Sequence, residues 1–438
     1  MHVMVVGGGG REHALAWALA KSNRVDRILC VPGNAGTAGL ANEKPGLIVE
    51  NVQAADDRPE ALVELAVNRQ VDVTVVGPEA PLCAGIVDSF QNAGLRIFGP
   101  TAAAARIEGD KAYAKRLMAV AHVPTAEARI FERFDAAKGY IASRDTGVVI
   151  KAAGLAAGKG VFVCHDQDDA QAALRRIMLE RVYGGAGDVV LVEELLEGQE
   201  LSVLALVDRD TIYMLETAQD HKPIGDGDVG PNTGGMGAYS PAPLATPDVL
   251  SKVERQILVP IVDALRNDDA PYTGVLYAGL MLTPGGPKVL EFNCRFGDPE
   301  IQVLLMRLES DLLDLIEAVV DGGLADATIR WAPRPAVCVV MASGGYPGPY
   351  QSGKVIEGLD RVELMEDVQV FHAGTERLEH LVISSGGRVL GVTALGKTVA
   401  DARRRVYAAV DNIRFDGAYY RRDIADKAIR ACTPDDAE

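Results

Sequence analysis

The first hundred residues alternate short β-branched runs with Ala/Leu-rich helical stretches, which confines this part of the chain to a parallel sheet flanked by helices. Residues 3–6 form an apolar run that stops at four glycines. Residues 27–31, 47–52, 71–76 and 95–98 are strand-like, residues 12–21 are helical, and Ala61, Leu62, Leu65 and Ala66 share one helical face. Such sheets bind ligands beyond the carboxyl ends of their strands. Here those ends carry residues 7–10, 32–34 and 77–82. A chain of 438 residues is too long for one core, so several subdomains are expected.

The turn GGGGREHA follows a strand and opens a helix, where glycines let backbone N–H groups approach an anion. A dinucleotide fingerprint starting at Gly7 would need glycine at position 12, which is Glu12. The second strand ends Cys30-Val31-Pro32, with no acid for an adenosine ribose. A nicotinamide-dependent dehydrogenase is therefore disfavoured. The preferred ligand is a mononucleotide-sized sugar phosphate, with a ligand-free tight turn as the alternative.

Beyond Gly99-Pro100, a helix over residues 110–121 leads to a smaller unit in which two strands, 147–152 and 160–165, flank AAGLAAGKG. This is not a Walker A loop: three residues separate Gly154 from Gly158, Gly160 replaces the Mg²⁺-binding hydroxyl, and a strand follows. It reads as a hairpin whose glycines Gly158 and Gly160 let it fold over phosphates, with Lys159 and Lys151 as charge partners. An ordinary hairpin with solvated lysines fits the same residues. VVLVEELLEGQE joins this unit to the next strand. Glu193 and Glu194 sit at a strand end, and Glu200 is placed to accept from ribose hydroxyls. Residues 220–243 read as a long Gly/Pro/Asp loop and residues 247–264 as one helix.

In VLEFNCR, Glu291 and Asn293 share one strand face and offer hard oxygen ligands suited to Mg²⁺. Arg295 continues that face and suits a phosphate or an oxyanion. A plain polar sheet face is the alternative. A net charge of −17 argues against nucleic-acid binding. The six cysteines are scattered and contain no CxxC pair, as in a reduced cytosolic protein. No signal peptide and no membrane-spanning run is evident, so a cytoplasmic protein is expected.

These pieces occur in the order of the ATP-grasp ligases. The strings GGGGREHALAWAL, PGNAGTA, VGPEAPL, KAAGLAAGKGV, QDHKPIGDGDVGPNTGGMGAYSPAP, LEFNCRFGDPE and GGRVLGVTALG resemble the glycinamide ribonucleotide synthetases, or phosphoribosylamine–glycine ligases, over essentially the whole chain. The resemblance implies a multidomain α/β and α+β fold. An N-terminal parallel α/β domain (1–100) precedes an ATP-grasp module, made of a central domain (101–122 and 187–328) and a lid (123–186). A small strand-rich domain (329–438) follows.

It also implies site roles. Lys111, Lys151, Gly158, Lys159 and Gly160 would meet ATP phosphates, and Glu193, Glu194, Leu196 and Glu200 would hold adenine and ribose. Glu291 and Asn293 would bind Mg²⁺ or Mn²⁺. Gly9, Gly10, Asn34 and Glu79 would lie near 5-phosphoribosylamine. Asp220, His221, Lys222, Asn232, Gly234 and Gly235 would line the region of glycine and its acyl phosphate, where Arg295 would stabilise an oxyanion. The implied substrates are ATP, glycine and phosphoribosylamine, handled by a monomer or small homo-oligomer. Another ATP-grasp carboxylate–amine ligase or a purine-pathway carboxylase is the alternative. Two departures stand out: the strand GVLYAGLML carries no metal carboxylate, and Pro223 follows Lys222 where a basic residue is expected.

Overall fold

In a computed structural model, which describes residues 1–56, 58–156 and 159–432, the expected alternation becomes a parallel sheet. Its elements are β1 (His2–Gly7), α1 (Gly10–Ala20), β2 (Arg27–Pro32), β3 (Ile48–Asn51), α2 (Pro59–Asn68), β4 (Val73–Val76), α3 (Glu79–Cys83), α4 (Ile86–Asn92) and β5 (Ile97–Phe98). The strand order is β3-β2-β1-β4-β5, all pairs parallel. The order reverses between β1 and β4, and a crevice opens there at the carboxyl ends of the strands.

Next come α5 (Ala102–Gly109) and α6 (Lys111–Val120), the latter capped by Asp110. The lid follows: β6 (Ala128–Phe131), α7 (Phe134–Ala142), β7 (Val148–Ala152), β8 (Val161–Cys164), α8 (Gln167–Met178) and β9 (Val190–Glu194), with strand order β6-β9-β7-β8. Ala137, Ile141, Ile150, Leu174 and Ile177 form a core of its own.

The central sheet has order β11-β10-β16-β17, built from β10 (Gln199–Asp208), β11 (Ile212–Met214) and two later strands, β16 and β17. Half of the expected loop over 220–243 is strand. It contains β12 (Gln219–Asp220), β13 (Pro223–Gly225), β14 (Val229–Asn232) and β15 (Gly237–Ser240). Periodicity cannot report strands of two to four residues rich in Gly and Pro. The expected single helix after it is also divided. α9 (Pro247–Val253) runs through a π-helical turn, Glu254–Leu258, into α10 (Val259–Asn267). Pro260 lacks an N–H and crowds the carbonyl four residues back, and the wider turn relieves both problems.

β16 (Thr273–Thr283) and β17 (Gly286–Asn293) pair antiparallel with a bulge at Gly279/Leu280. α11 (Glu300–Arg307) and α12 (Leu312–Asp321) lead to β18 (Ala336–Ala342), α13 (Leu359–Glu363), β19 (Val368–His372), β20 (Thr375–Leu378), β21 (Leu381–Ser384), β22 (Arg388–Leu395), α14 (Val399–Val410) and α15 (Asp426–Cys432). The last large sheet, β12-β15-β18-β22-β19, takes β12 and β15 from the middle of the chain.

Alternation along β1 divides its side chains between two cores. Val3 and Val5 join one and Met4 and Val6 the other, and β10 does the same with Leu204 and Leu206 against Val203 and Ala205. Asn34 ties the first domain to the last. Its amide donates to the Gly8 and His372 carbonyls at 2.9 and 2.8 Å and accepts from the Gly36 and Thr37 amides. Asn34→Ala strands four backbone groups near a buried position, so a loss of about 3 kcal/mol is expected. A lowered urea midpoint with unchanged slope is the measurement.

Candidate active site

A cleft of about 470 Å³ lies between the lid, the central sheet and the two terminal domains. One wall is apolar. Met118, Val149, Val161, Leu195, Leu196, Met281, Leu290 and Phe292 face the hinge between β9 and β10, a surface suited to a flat base.

Beside it lies a cationic end. Lys151 on β7 and Glu193 on β9 are diagonal neighbours across the ladder, because Lys151 pairs with Leu191. Glu193 Oε2 lies 3.1 Å from Lys151 Nζ and 3.3 Å from Lys115 Nζ. Lys111 Nζ donates to the Gly154 carbonyl at 3.0 Å and Lys151 Nζ to that of Leu290 at 2.9 Å. Burial pulls the Lys115 ammonium down to about 8 despite Glu193, and burial followed by Lys151 lowers Lys111. An anion placed here would relieve that cost. Glu193 Oε1 is buried with no hydrogen-bond partner among the described residues, so it has capacity for a donor on a ligand. Glu194 turns its carboxylate to Lys288 and the Glu127 amide.

Glu291 and Asn293 project from β17 opposite Gly279 and Tyr277. Burial alone would raise the Glu291 carboxyl, but Lys222, Lys151, Lys111 and Arg295 outweigh it and hold the group below its ordinary value. Among the described residues no three His, Cys, Asp or Glu side chains form a metal cage. The protein therefore offers one anionic carboxylate and one amide oxygen, a set that fits Mg²⁺ completed by phosphates and water. Arg295 Nη2 reaches Asn293 Oδ1 at 3.2 Å and Glu108 Oε1 at 2.9 Å, and its Nε lies 3.4 Å from Glu79 Oε2.

Opposite the lysines lies an acidic end. Lys222 lies 3.3 Å from Asp220 Oδ2. Burial opposes its charge, yet Tyr277, Asp220, Glu200 and Glu300 raise it well above the usual range. One ammonium thus serves three carboxylates. Burial first, then Glu300 and Glu200, push the Asp220 carboxyl up to about 7 against the pull of Lys222. Tyr277 and Ser202 both hydrogen-bond to Glu300 Oε1. Asn232 and Gly234 line the cleft. Gly235 lies just behind, at φ +111°, where an added Cβ would stand 2.4 Å from Pro299 and 2.7 Å from Asp220. Arg388 holds this turn by donating to the Gly234 and Asp298 carbonyls.

Several expected residues are placed elsewhere. Gly9 and Gly10 do not line the cleft, because Glu12 folds back into the glycine turn. The Gly9 amide donates to its Oε2 at 2.6 Å, and a Cβ on Gly77 would sit 1.9 Å from its Oε1. Asn34 has its amide committed to backbone, as described above. The ring of His221 points away from the cleft, buried against Tyr239, with neither nitrogen hydrogen-bonded among the described residues. The Lys159 side chain is exposed and lies off the cleft wall, whereas Gly160 is on it. Gly158 falls outside the described residues.

A family model described as phosphoribosylglycinamide synthetase matches in three parts. Its N domain covers residues 1–108, its ATP-grasp (A) domain residues 109–301 and its C domain residues 336–427. The chain belongs to the phosphoribosylglycinamide synthetase family. Proteins named phosphoribosylamine–glycine ligase from Rhodopirellula baltica and Escherichia coli O157:H7 are 51% and 48% identical to it, each covering 98% of this chain and 98% and 99% of their own. The crystal structure of the Thermotoga maritima phosphoribosylamine–glycine ligase superposes with a TM-score of 0.82 at 31% identity, covering 97% of this chain and 100% of that one. A biotin carboxylase from Campylobacter jejuni, at 14% identity and a TM-score of 0.73, shares the fold alone.

Within this family chain, sequence reasoning missed Lys115, Glu108, Tyr277, Glu300 and Arg388. Lys115 had a signal, since it stands one helical turn beyond Lys111. Arg388 had none: it is remote in sequence and reaches the cleft only through the last sheet. The raised Asp220 carboxyl has a pH signature. A raised folded pKa stabilises at low pH, fully below about 3.8, and that stability fades as pH rises through about 7. Asp220→Asn should abolish that part of the decline, so the stability of the variant relative to the natural chain grows between pH 4 and 8. Urea midpoints measured across that range test it.

Proposed function

We propose that this chain joins glycine to 5-phosphoribosylamine at the expense of ATP, through glycyl phosphate, giving glycinamide ribonucleotide, ADP and phosphate. The observation that carries the reading is one cleft with a surplus of buried lysines at one end and of carboxylates at the other, bridged by Glu291, Asn293 and Arg295. Family membership over the full chain supports it. Triphosphate suits Lys111, Lys115 and Lys151, with base and ribose against Leu196, Glu193 and Glu200. In this reading the glycine ammonium belongs between Asp220 and Glu300, and phosphoribosylamine at the Glu79 side. Gly9, Gly10 and Asn34 shape that side from behind, through Glu12, Gln302 and the Gly8 carbonyl.

A glycine carboxylate oxygen attacks the γ-phosphorus and ADP leaves. The amine nitrogen then attacks the acyl carbon, phosphate leaves, and Asp220 is suited to take the nitrogen's proton. Arg295 stabilises the oxyanion. Mg²⁺ or Mn²⁺ on Glu291 and Asn293, when bound, offsets repulsion between carboxylate and triphosphate. The hairpin with Gly158, Lys159 and Gly160 acts as a lid that excludes water. We assign the chain to the cytoplasm, as a monomer or small homo-oligomer, with residues 123–194 moving as the lid: the expected bound at 186 is extended because β9 is the strand that joins β6 to β7 in the lid sheet.

ADP release should require both glycine and phosphoribosylamine for full rate, measured by omitting each in turn. Bicarbonate-dependent, glycine-independent release would favour a carboxylase instead. Glu291→Gln should fold normally and lose about a hundredfold or more in turnover at saturating Mg²⁺, because it removes the one anionic ligand. Near-normal turnover would place the metal elsewhere.

A further inference from the structure

We propose that residues 419–427 form a clamp that positions the glycine side of the cleft, with Arg421 as its positioning residue; the proposal rests on the function assigned above. The clamped object is the β13–β14 hairpin. Its base is Lys222 and Thr233, both on the cleft wall and joined by the Thr233 amide and hydroxyl, which donate to the Lys222 carbonyl at 2.8 and 2.7 Å. Its tip, residues 227–230, is exposed. The two strands pair only with each other. Such a hairpin is marginal by itself, yet it must hold Lys222 against three carboxylates.

What fixes it is the last part of the chain. Arg421 has a fully buried side chain. Its Nη1 donates to the Pro223 carbonyl and to Asp228 Oδ1, both at 3.0 Å, while Nε and Nη2 grip Asp423. Asp423 in turn accepts from the Gly227 amide at 2.8 Å. The Tyr419 hydroxyl donates to the Ile224 carbonyl at 2.9 Å, and the Arg422 amide to Asp226 Oδ1 at 2.7 Å. The β13 strand and the tip of the hairpin are thereby bonded to one short segment. That segment is itself anchored on α14, where Tyr407 donates to the Arg421 carbonyl and Arg403 to that of Ile424. None of these residues lines the cleft. A bidentate buried guanidinium fixes direction as well as distance, so displacement of the clamp moves Lys222 and Asn232 and leaves the lysine end of the cleft untouched.

The test separates positioning from general stability. Arg421→Ala should raise the KM for glycine by about tenfold or more, the scale of a lost buried charged hydrogen bond, while affinity for ADP stays unchanged. Arg421→Lys should recover part of the loss. Amide exchange should quicken in residues 219–237 and stay the same in residues 3–6. If Arg421→Ala does not fold, Tyr419→Phe and Asp226→Asn, at the outer edge of the clamp, should each produce the same split at smaller size. Equal changes in glycine KM and ADP affinity, or no change in either with exchange unaltered, would overturn the clamp. A natural chain without glycine-dependent ADP release would overturn the assigned activity instead, and the exchange comparison would still decide whether the hairpin is held by Arg421.

Discussion

Lys111, Lys115 and Lys151 bring three ammonium groups to one end of a buried cleft, where Glu193 meets only two of them. Buried like charges are costly unless something of opposite sign joins them, and the remainder of the site can be understood from that surplus. The lysines lie on α6 and β7, elements from either side of the hinge, so an anion between them would draw the lid toward the central sheet. Lys222 from the far end, together with Lys151, Lys111 and Arg295, holds the Glu291 carboxyl below its ordinary value against its burial. At the far end the balance inverts: Asp220, Glu200 and Glu300 share Lys222, and the carboxyl of Asp220 rises toward neutrality. The line from lysines to carboxylates passes over Glu291, Asn293 and Arg295. Charge alone thus gives the cleft a direction.

Much of this was legible in the sequence where spacing has physical meaning. Alternating strand and helix signals give the parallel sheet, and the two-residue spacing of Glu291 and Asn293 gives their shared face. What escaped was long-range. No local pattern says that Arg388 on β22 will reach Gly234, or that β15 will leave the central region to pair with β18. The strands of two to four residues between 219 and 240 are too short to show a period, and the partner that fixes β15 is β18, far along the chain, so their Gly and Pro content reads as loop.

The glycines at the N-terminus teach a finer lesson. The glycines admit close approach to the backbone, and the group in contact with the Gly9 amide is the Glu12 carboxylate of the same chain. Composition at a turn reports that something comes near; it does not say whether that partner arrives in solution or is built into the next helix.

The division of β1 between two cores has a consequence for cutting the chain. Residues of β1 and of β10 lie in the same two apolar clusters, one on each face of the first sheet. Residues 1–100, produced as a fragment, would expose the surfaces of α1 and β5 that α11, α12 and β19 cover, and a mixture of fragments would have to reassemble these interfaces at once. The lid core is largely its own, apart from a small seam where Leu191 of β9 and Ala153 pack with Ala112 of α6. Grafting the lid of a relative onto this body therefore means matching one small seam, whereas exchanging the first domain is a redesign of the interior.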